Sequence, residues 1–256
     1  MIGPVDVWIV SFERDYEWLR FCIRGIAKYF TGWRTLHIAL PPSAPDPGVC
    51  LPFVRHDEAP GFKDGYICQQ VTKLRAYRET DAEWIAFLDS DHVAFELVDV
   101  ADYFDGDRAQ LWWRTWEEVA ALPSVAEGGQ GVTREAGRWR EIACRALGRW
   151  PDRFTLEFLP MIFHRRTLEL ACTKVAETHT TLMQSPTPLT LEDFARIQPW
   201  REFSEFILLG NAAWLWHRDR YSWRHVDGPI DYRFRGFSPY NGVSAEDRAW
   251  CEGVLS

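Results

Sequence analysis

The sequence contains no apolar run approaching about 18 residues, the length a membrane-spanning helix needs, so no transmembrane segment is expected. It has no CxxC pair; its six cysteines (22, 50, 68, 144, 172 and 251) are scattered, the pattern of reduced thiols in a cytoplasmic protein. It lacks a basic excess: 29 Lys and Arg stand against 37 Asp and Glu, giving a net charge of −8. That argues against a general nucleic-acid or membrane binder, whose surface must follow phosphates. It leaves room for a nucleotide, which needs a local basic pocket alone. Internal repeats and low-complexity tracts are absent. The first residues, Met1-Ile2-Gly3-Pro4-Val5-Asp6, have neither a basic segment nor a long apolar core, so no signal peptide is expected there. What is abundant is tryptophan, 14 in 256 residues. Most are expected in packing, with a few as platforms against which a sugar ring stacks.

The chain length fits one large domain, or one with a modest subdomain. Val5 to Val10 reads as a first strand, and Leu19, Cys22, Ile23, Ile26, Ala27 and Phe30 recur at helical spacing after it. Thr35 to Leu40 is a second strand, and the proline-rich stretch from Pro41 to Gly48 is loop. Asp64 to Arg78 is a second helix, and the unbroken apolar run Trp84 to Leu88 is a buried strand. This β-α-β-loop-α-β order predicts half of a doubly wound, mainly parallel α/β sheet. Further strands are expected at Gln110–Trp113, Phe158–Phe163 and Tyr221–Val226. Further helices are expected at Arg134–Leu147, Arg165–Met183, near Leu191, and Glu202–Trp216. From Asp227 the tail reads as loop. The expected organisation is one domain, 1–256, with a nucleotide-binding half (1–113) and a mixed half (114–256) that shapes a second substrate. Gly128-Gly129-Gln130-Gly131 is expected to be a loop that closes over the site.

The chemistry concentrates where the Trp84–Leu88 strand ends, at Asp89-Ser90-Asp91. Open α/β sheets bind ligands at the carboxyl ends of their strands. Two carboxylates so close repel unless a cation joins them, and a divalent metal that in turn holds phosphates satisfies both. The alternative is a pair of turn or cap aspartates. Gln69, Gln70 and Lys73 share one face of the preceding helix, with Ile67, Val71 and Leu74 on another. Amides suit a base or ribose and an ammonium suits a phosphate; an ordinary solvated face is the alternative. Glu202 and Glu205 open the Glu202–Trp216 helix, where each is either a dipole-favoured cap charge or a general base. His225 and His217 are candidates for a distant imidazole on the metal, with His92 free to point away. Arg233 and Arg235 either clamp a diphosphate or are surface residues.

These pieces together resemble glycosyltransferases of the GT-A fold. The resemblance rests on the first strand with Ser11 and Asp15, on Gln69-Gln70-Val71-Thr72-Lys73-Leu74, on Phe87-Leu88-Asp89-Ser90-Asp91, and on Phe203-Ser204-Glu205-Phe206. The chain also resembles a poorly characterised bacterial family of D-x-D transferases that carries Q-Q-x-x-K-L before the D-x-D and S-E-[FY] later. The resemblance implies a GT-A-like domain with a mixed C-terminal acceptor half, and a nucleotide-diphosphate sugar donor, commonly of UDP type. It also implies a glycan or other hydroxyl acceptor. Asp91 would bind Mn2+ or Mg2+ directly, Asp89 the ribose or a metal-bound water, and Ser11 and Asp15 the nucleotide. Glu205 would be the base of an inverting transfer, although inverting members usually show x-E-D where this chain has Ser-Glu-Phe.

Other readings compete. Asp89-Ser90-Asp91-His92-Val93 fits the D-x-D-x-[TV] signature of haloacid-dehalogenase-type phosphatases, but that family places this strand first. It also needs a later lysine and a second acidic pair, and Lys174 is the one lysine after Asp91. A nucleotidyltransferase would carry a Gly-rich basic loop after the first strand, where Ser11-Phe12-Glu13-Arg14-Asp15 stands. A non-catalytic carbohydrate-binding protein is the third alternative.

Overall fold

The computed structural model describes residues 2–121, 132–155, 159–199, 201–227, 233–237 and 242–256. Strand β1 (Val5–Val10) is buried at every position, as a strand covered on both faces must be. It is followed by α1 (Tyr16–Tyr29), β2 (Phe30–Thr31), β3 (Leu36–Leu40), β4 (Val54–Asp57), α2 (Gly65–Arg75) and β5 (Trp84–Asp89). Then come β6 (His92–Ala94), β7 (Val98–Asp99), β8 (Phe104–Asp105), β9 (Arg108–Arg114), α3 (Trp116–Ala121) and α4 (Val132–Leu147). The remainder holds β10 (Phe154–Thr155), β11 (Met161–His164), α5 (Arg165–Leu182), α6 (Leu191–Arg196) and α7 (Glu205–Trp216). It ends with β12 (Tyr221–His225), β13 (Phe234–Gly236) and α8 (Ala245–Leu255).

The central sheet has the order β11-β5-β1-β3-β4. β5, β1, β3 and β4 are parallel, and β11 closes one edge antiparallel to β5. The fold is therefore mixed α/β, with a mainly parallel sheet flanked by helices. From β1 the chain winds to β3 and β4 on one side, then crosses to place β5 on the other. That reversal opens a crevice beyond the carboxyl ends of β1 and β5, the usual ligand position in such sheets. A second sheet, β10-β9-β12, takes β8 on one side. β13 pairs antiparallel with β6, so the tail returns to the residues just after Asp91.

Several sequence expectations need correction. The tail beyond Asp227 is not all loop, because it supplies β13 and α8. β4 is an addition: its side chains are largely exposed on a sheet edge and carry no apolar pattern. The last long helix of the expected set begins at Glu205 rather than Glu202, because the Ser204 hydroxyl accepts the Ile207 amide and caps it. The Gly128–Gly131 segment and Phe158 lie outside the described residues. Among the described residues, no helix is long and apolar enough to cross a membrane.

One charged cluster lies at the amino end of β1. The Asp6 carboxylate, fully buried, accepts two bonds from Arg34 at 2.8 Å each, one from His37 at 3.0 Å, and one from the Thr80 hydroxyl. Burial alone would raise its pKa, but the bonds from His37, Arg34 and Thr80 hold it well below the usual carboxylate range. Removing one partner of such a pair leaves the others uncompensated. Asp6→Asn is expected to lower the unfolding free energy by about 3 kcal/mol, measured by urea denaturation; a change within the noise of surface substitutions would contradict this.

His164 at the end of β11 caps α5, its Nδ1 accepting the Arg166 amide at 3.1 Å. Burial, and then the Arg220 charge, push its pKa down to about 4. The unfolded chain, near 6.5, therefore takes up this proton first as the pH falls. The His164 contribution to stability is complete above the unfolded value and declines from there toward about pH 4. His164→Asn, which keeps a cap acceptor but does not titrate, should flatten the pH dependence of stability in that window. An unchanged slope would contradict the assignment.

Candidate functional site

Strand β5 delivers Asp89 to the crevice, and a turn at Ser90-Asp91 leads into β6. Asp89, Asp91 and His92 each offer one ligand atom, and these atoms lie within 4.8 Å of one another. The turn is tight enough that His92 does not point away as expected; its Nδ1 is 2.9 Å from Asp91 Oδ1. Across the β13–β6 pair, Gly236 leaves room for the ring, since a Cβ there would lie 2.6 Å from His92 Nε2. Burial alone would lower the His92 pKa, but the bond to Asp91 and the charges of Asp91 and Asp89 raise it.

The cleft beside these groups has a volume of about 290 Å3. Asp15, Asp64, Tyr66 and Gln69 line it with Phe12 and Arg14, opposite Asp89, Ser90 and Asp91. Burial raises the Asp15 pKa, opposed by Arg14 (Nε–Oδ1 3.5 Å) and reinforced by the Asp91 charge. Asp64 is the cap of α2, accepting from the amides of Tyr66 and Ile67. Ser11, at the end of β1, is buried and its hydroxyl has no hydrogen-bond partner. Hard oxygen donors joined by one imidazole suit Mg2+ or Mn2+. The residues present therefore fit a divalent cation, with Asp89, Asp91 and His92 to hold it.

Below Asp89 lies an enclosed ammonium. Lys73 is 2% exposed. Its ammonium donates to Asp89 Oδ1 at 2.6 Å and to Glu205 Oε1 at 2.7 Å, and lies 4.5 Å from the Phe206 ring centre. Gln70 turns the same way, its Oε1 accepting the Glu205 amide at 2.9 Å. Burial would lower the Lys73 pKa, but the two carboxylates reverse that and raise it. Asp89, 26% exposed at its side chain, is lowered by Lys73 and His92 against the effect of burial. Glu205 is raised, because burial outweighs its contact with Lys73.

This geometry corrects four expectations. Gln69 reaches the cleft, but Gln70 and Lys73 face the interior, so the helix patch is divided. Glu205 is 1% exposed and bonded to Lys73, so its carboxylate is closed off from an acceptor. His225 pairs with Glu118 at 2.9 Å and His217 with the Thr167 hydroxyl at 2.8 Å; neither belongs to the Asp89–Asp91–His92 group. Arg235 lies over Phe237 and Trp250, and Arg233 lies 3.5 Å from Glu96, so neither is arranged as a diphosphate clamp. Glu202 keeps 30% of its side chain exposed, 3.7 Å from Arg138. The neighbouring Phe203 carbonyl accepts from the Tyr66 hydroxyl of the cleft wall at 3.0 Å. Phe12, Arg14, Asp64 and Tyr66 line the cleft without having been singled out in the sequence, and His92, set aside there, joins the Asp89–Asp91 group. Tyr66 and Gln69 are spaced three apart, about one helical turn, and that spacing is the available signal.

No family model matches the chain, and no curated protein matches it. Among solved structures the chain is similar to 2-C-methyl-D-erythritol 4-phosphate cytidylyltransferase from Thermus thermophilus. The TM-score is 0.42 and the identity 14%, over 97% of this chain and 96% of that one. A likeness of that size carries no argument about function, which rests on the site itself.

If Asp91 is a cation ligand, Asp91→Asn removes charge while keeping shape. Its Mn2+ dissociation constant is expected to rise at least about tenfold, with little change in thermal unfolding. Equal Mn2+ affinity in variant and parent would remove Asp91 from the site.

Proposed function

We propose that this chain is a metal-dependent glycosyltransferase. It moves a sugar from a nucleotide-diphosphate donor, of UDP type, to a hydroxyl of a glycan or other acceptor. The observation that carries this reading is the grouping of Asp89, Asp91 and His92 at the sheet's switch point, with Asp89 and Asp91 on the wall of the cleft. Phe12 and Tyr66 supply aromatic faces for a base, and Gln69 an amide for a base or ribose. Asp15 lines the cleft near the end of β1, where the nucleotide is expected. The bound cation, held by Asp89, Asp91 and His92, would neutralise the diphosphate as it departs.

An acceptor hydroxyl needs a carboxylate to take its proton. With Glu205 enclosed, that role passes in this reading to Glu202, whose carboxylate stays accessible and whose segment is tied to the cleft through Tyr66 and Phe203. Transfer would then proceed with inversion, the carboxylate acting on the face opposite the diphosphate.

The reading is tested by thermal shift with a panel of nucleotide sugars, with and without Mn2+. A specific donor at 100 times its dissociation constant should stabilise the protein by about 2.7 kcal/mol, and only with the metal. Glu202→Gln should then lower turnover at least about 100-fold while leaving donor affinity within about threefold. No stabilisation by any donor would contradict the function; full activity of Glu202→Gln would contradict the base alone.

A further inference from the structure

We propose that Lys73 and Glu205 form a charge-sharing pair that sets the affinity of Asp89 for a divalent cation, with Glu205 a positioning residue and not a base. The inference rests on the metal part of the proposed function, and on neither the sugar nor the acceptor.

Three distant parts of the chain meet at one ammonium: Lys73 in α2, Asp89 at the end of β5, and Glu205 at the start of α7. Both contacts are at the short distances of charge-assisted bonds. Glu205 is held from behind, by Gln70 at its amide and by the Ser204 cap of its helix. Its carboxylate is therefore fixed against the ammonium and away from solvent. Asp89 accepts from Lys73 through Oδ1, and the same carboxylate contributes to the group with Asp91 and His92. An ammonium opposed by Asp89 alone would compete with a cation for that charge. An ammonium divided between two carboxylates leaves Asp89 more of its charge to offer. At an effective dielectric constant of about 20, unit charges a few ångströms apart interact by several kcal/mol, enough to move a dissociation constant tenfold.

A purely structural network makes a different forecast. It would join α7 to the sheet, and its loss would reduce stability without a selective effect on cation affinity.

The test is a Mn2+ titration followed by the electron spin resonance of the free ion, without donor or turnover. Glu205→Gln keeps the shape but leaves the ammonium to Asp89, and its Mn2+ dissociation constant should rise about tenfold. The double variant Lys73→Met with Glu205→Gln removes the competing charge together with its partner. Its dissociation constant should return to within about threefold of the parent. It also removes the buried ammonium and leaves Asp89 facing the cleft, so it serves as the test should the single variant fail to fold. Turnover lost in Glu205→Gln should be restored by raising Mn2+, which loss of a proton acceptor would not allow. Parent affinity in Glu205→Gln, or a double variant weakened tenfold or more, would overturn the inference. A parent chain that binds no Mn2+ would overturn the metal reading, and this inference with it.

Discussion

The Lys73 ammonium is the contact on which the site depends. A buried cation is costly unless its charge and its donors are met. Here they are met by Asp89 from the sheet and Glu205 from α7. The arrangement fixes the end of β5 against two helices, through partners that lie 16 and 132 positions from Lys73 along the chain. It also orients Asp89, whose carboxylate forms one corner of the cation group. Weakening it would loosen the position of α7 and the setting of the cleft together.

The two ends of the central sheet show why one acidic cluster is read as structural and the other as functional. Asp6, near the amino end of β1, is bonded by Arg34, His37 and Thr80 and has no exposure to solvent. His37 is in turn 2.8 Å from His56, and both rings stack on Trp8. Nothing in that cluster is left over for a ligand. At the carboxyl end, Asp89, Asp91, Asp15 and Asp64 border one cleft, joined by a short contact to Lys73 and by the more distant Arg14. The carboxylates there outnumber these cations, the condition that favours a divalent metal ion.

The sheet was legible because its inner strands are almost uninterrupted apolar runs. β1 and β3 are buried throughout and β5 at all but Asp89. The edge strand β4, Val54-Arg55-His56-Asp57, carries no such signal. The position of Asp89 at the end of β5, and of Asp91 just beyond it, followed directly. The orientation of α2 did not: periodicity places Gln69, Gln70 and Lys73 on neighbouring positions, but Gln70 and Lys73 turn inward to meet Glu205, far along the chain. A signal for Glu205 was present and points the other way from a base. The run Glu205-Phe206-Ile207-Leu208-Leu209-Gly210-Asn211-Ala212-Ala213 is buried at every residue. A helix apolar on all sides is enclosed by the rest of the protein, and a carboxylate at its first turn is enclosed with it. The place of His92 was hidden for a related reason: strand alternation does not carry through the turn that separates β5 from β6.

The central claim is that Asp89, Asp91 and His92 hold a divalent cation above an intact Lys73–Glu205 contact. Anomalous diffraction from crystals grown with Mn2+ and UDP tests it most directly. The account predicts a manganese peak within coordination distance of all three side chains, with Lys73 still bonded to Asp89 and Glu205. A peak elsewhere, or manganese bound with Glu205 turned into the cleft, would contradict it.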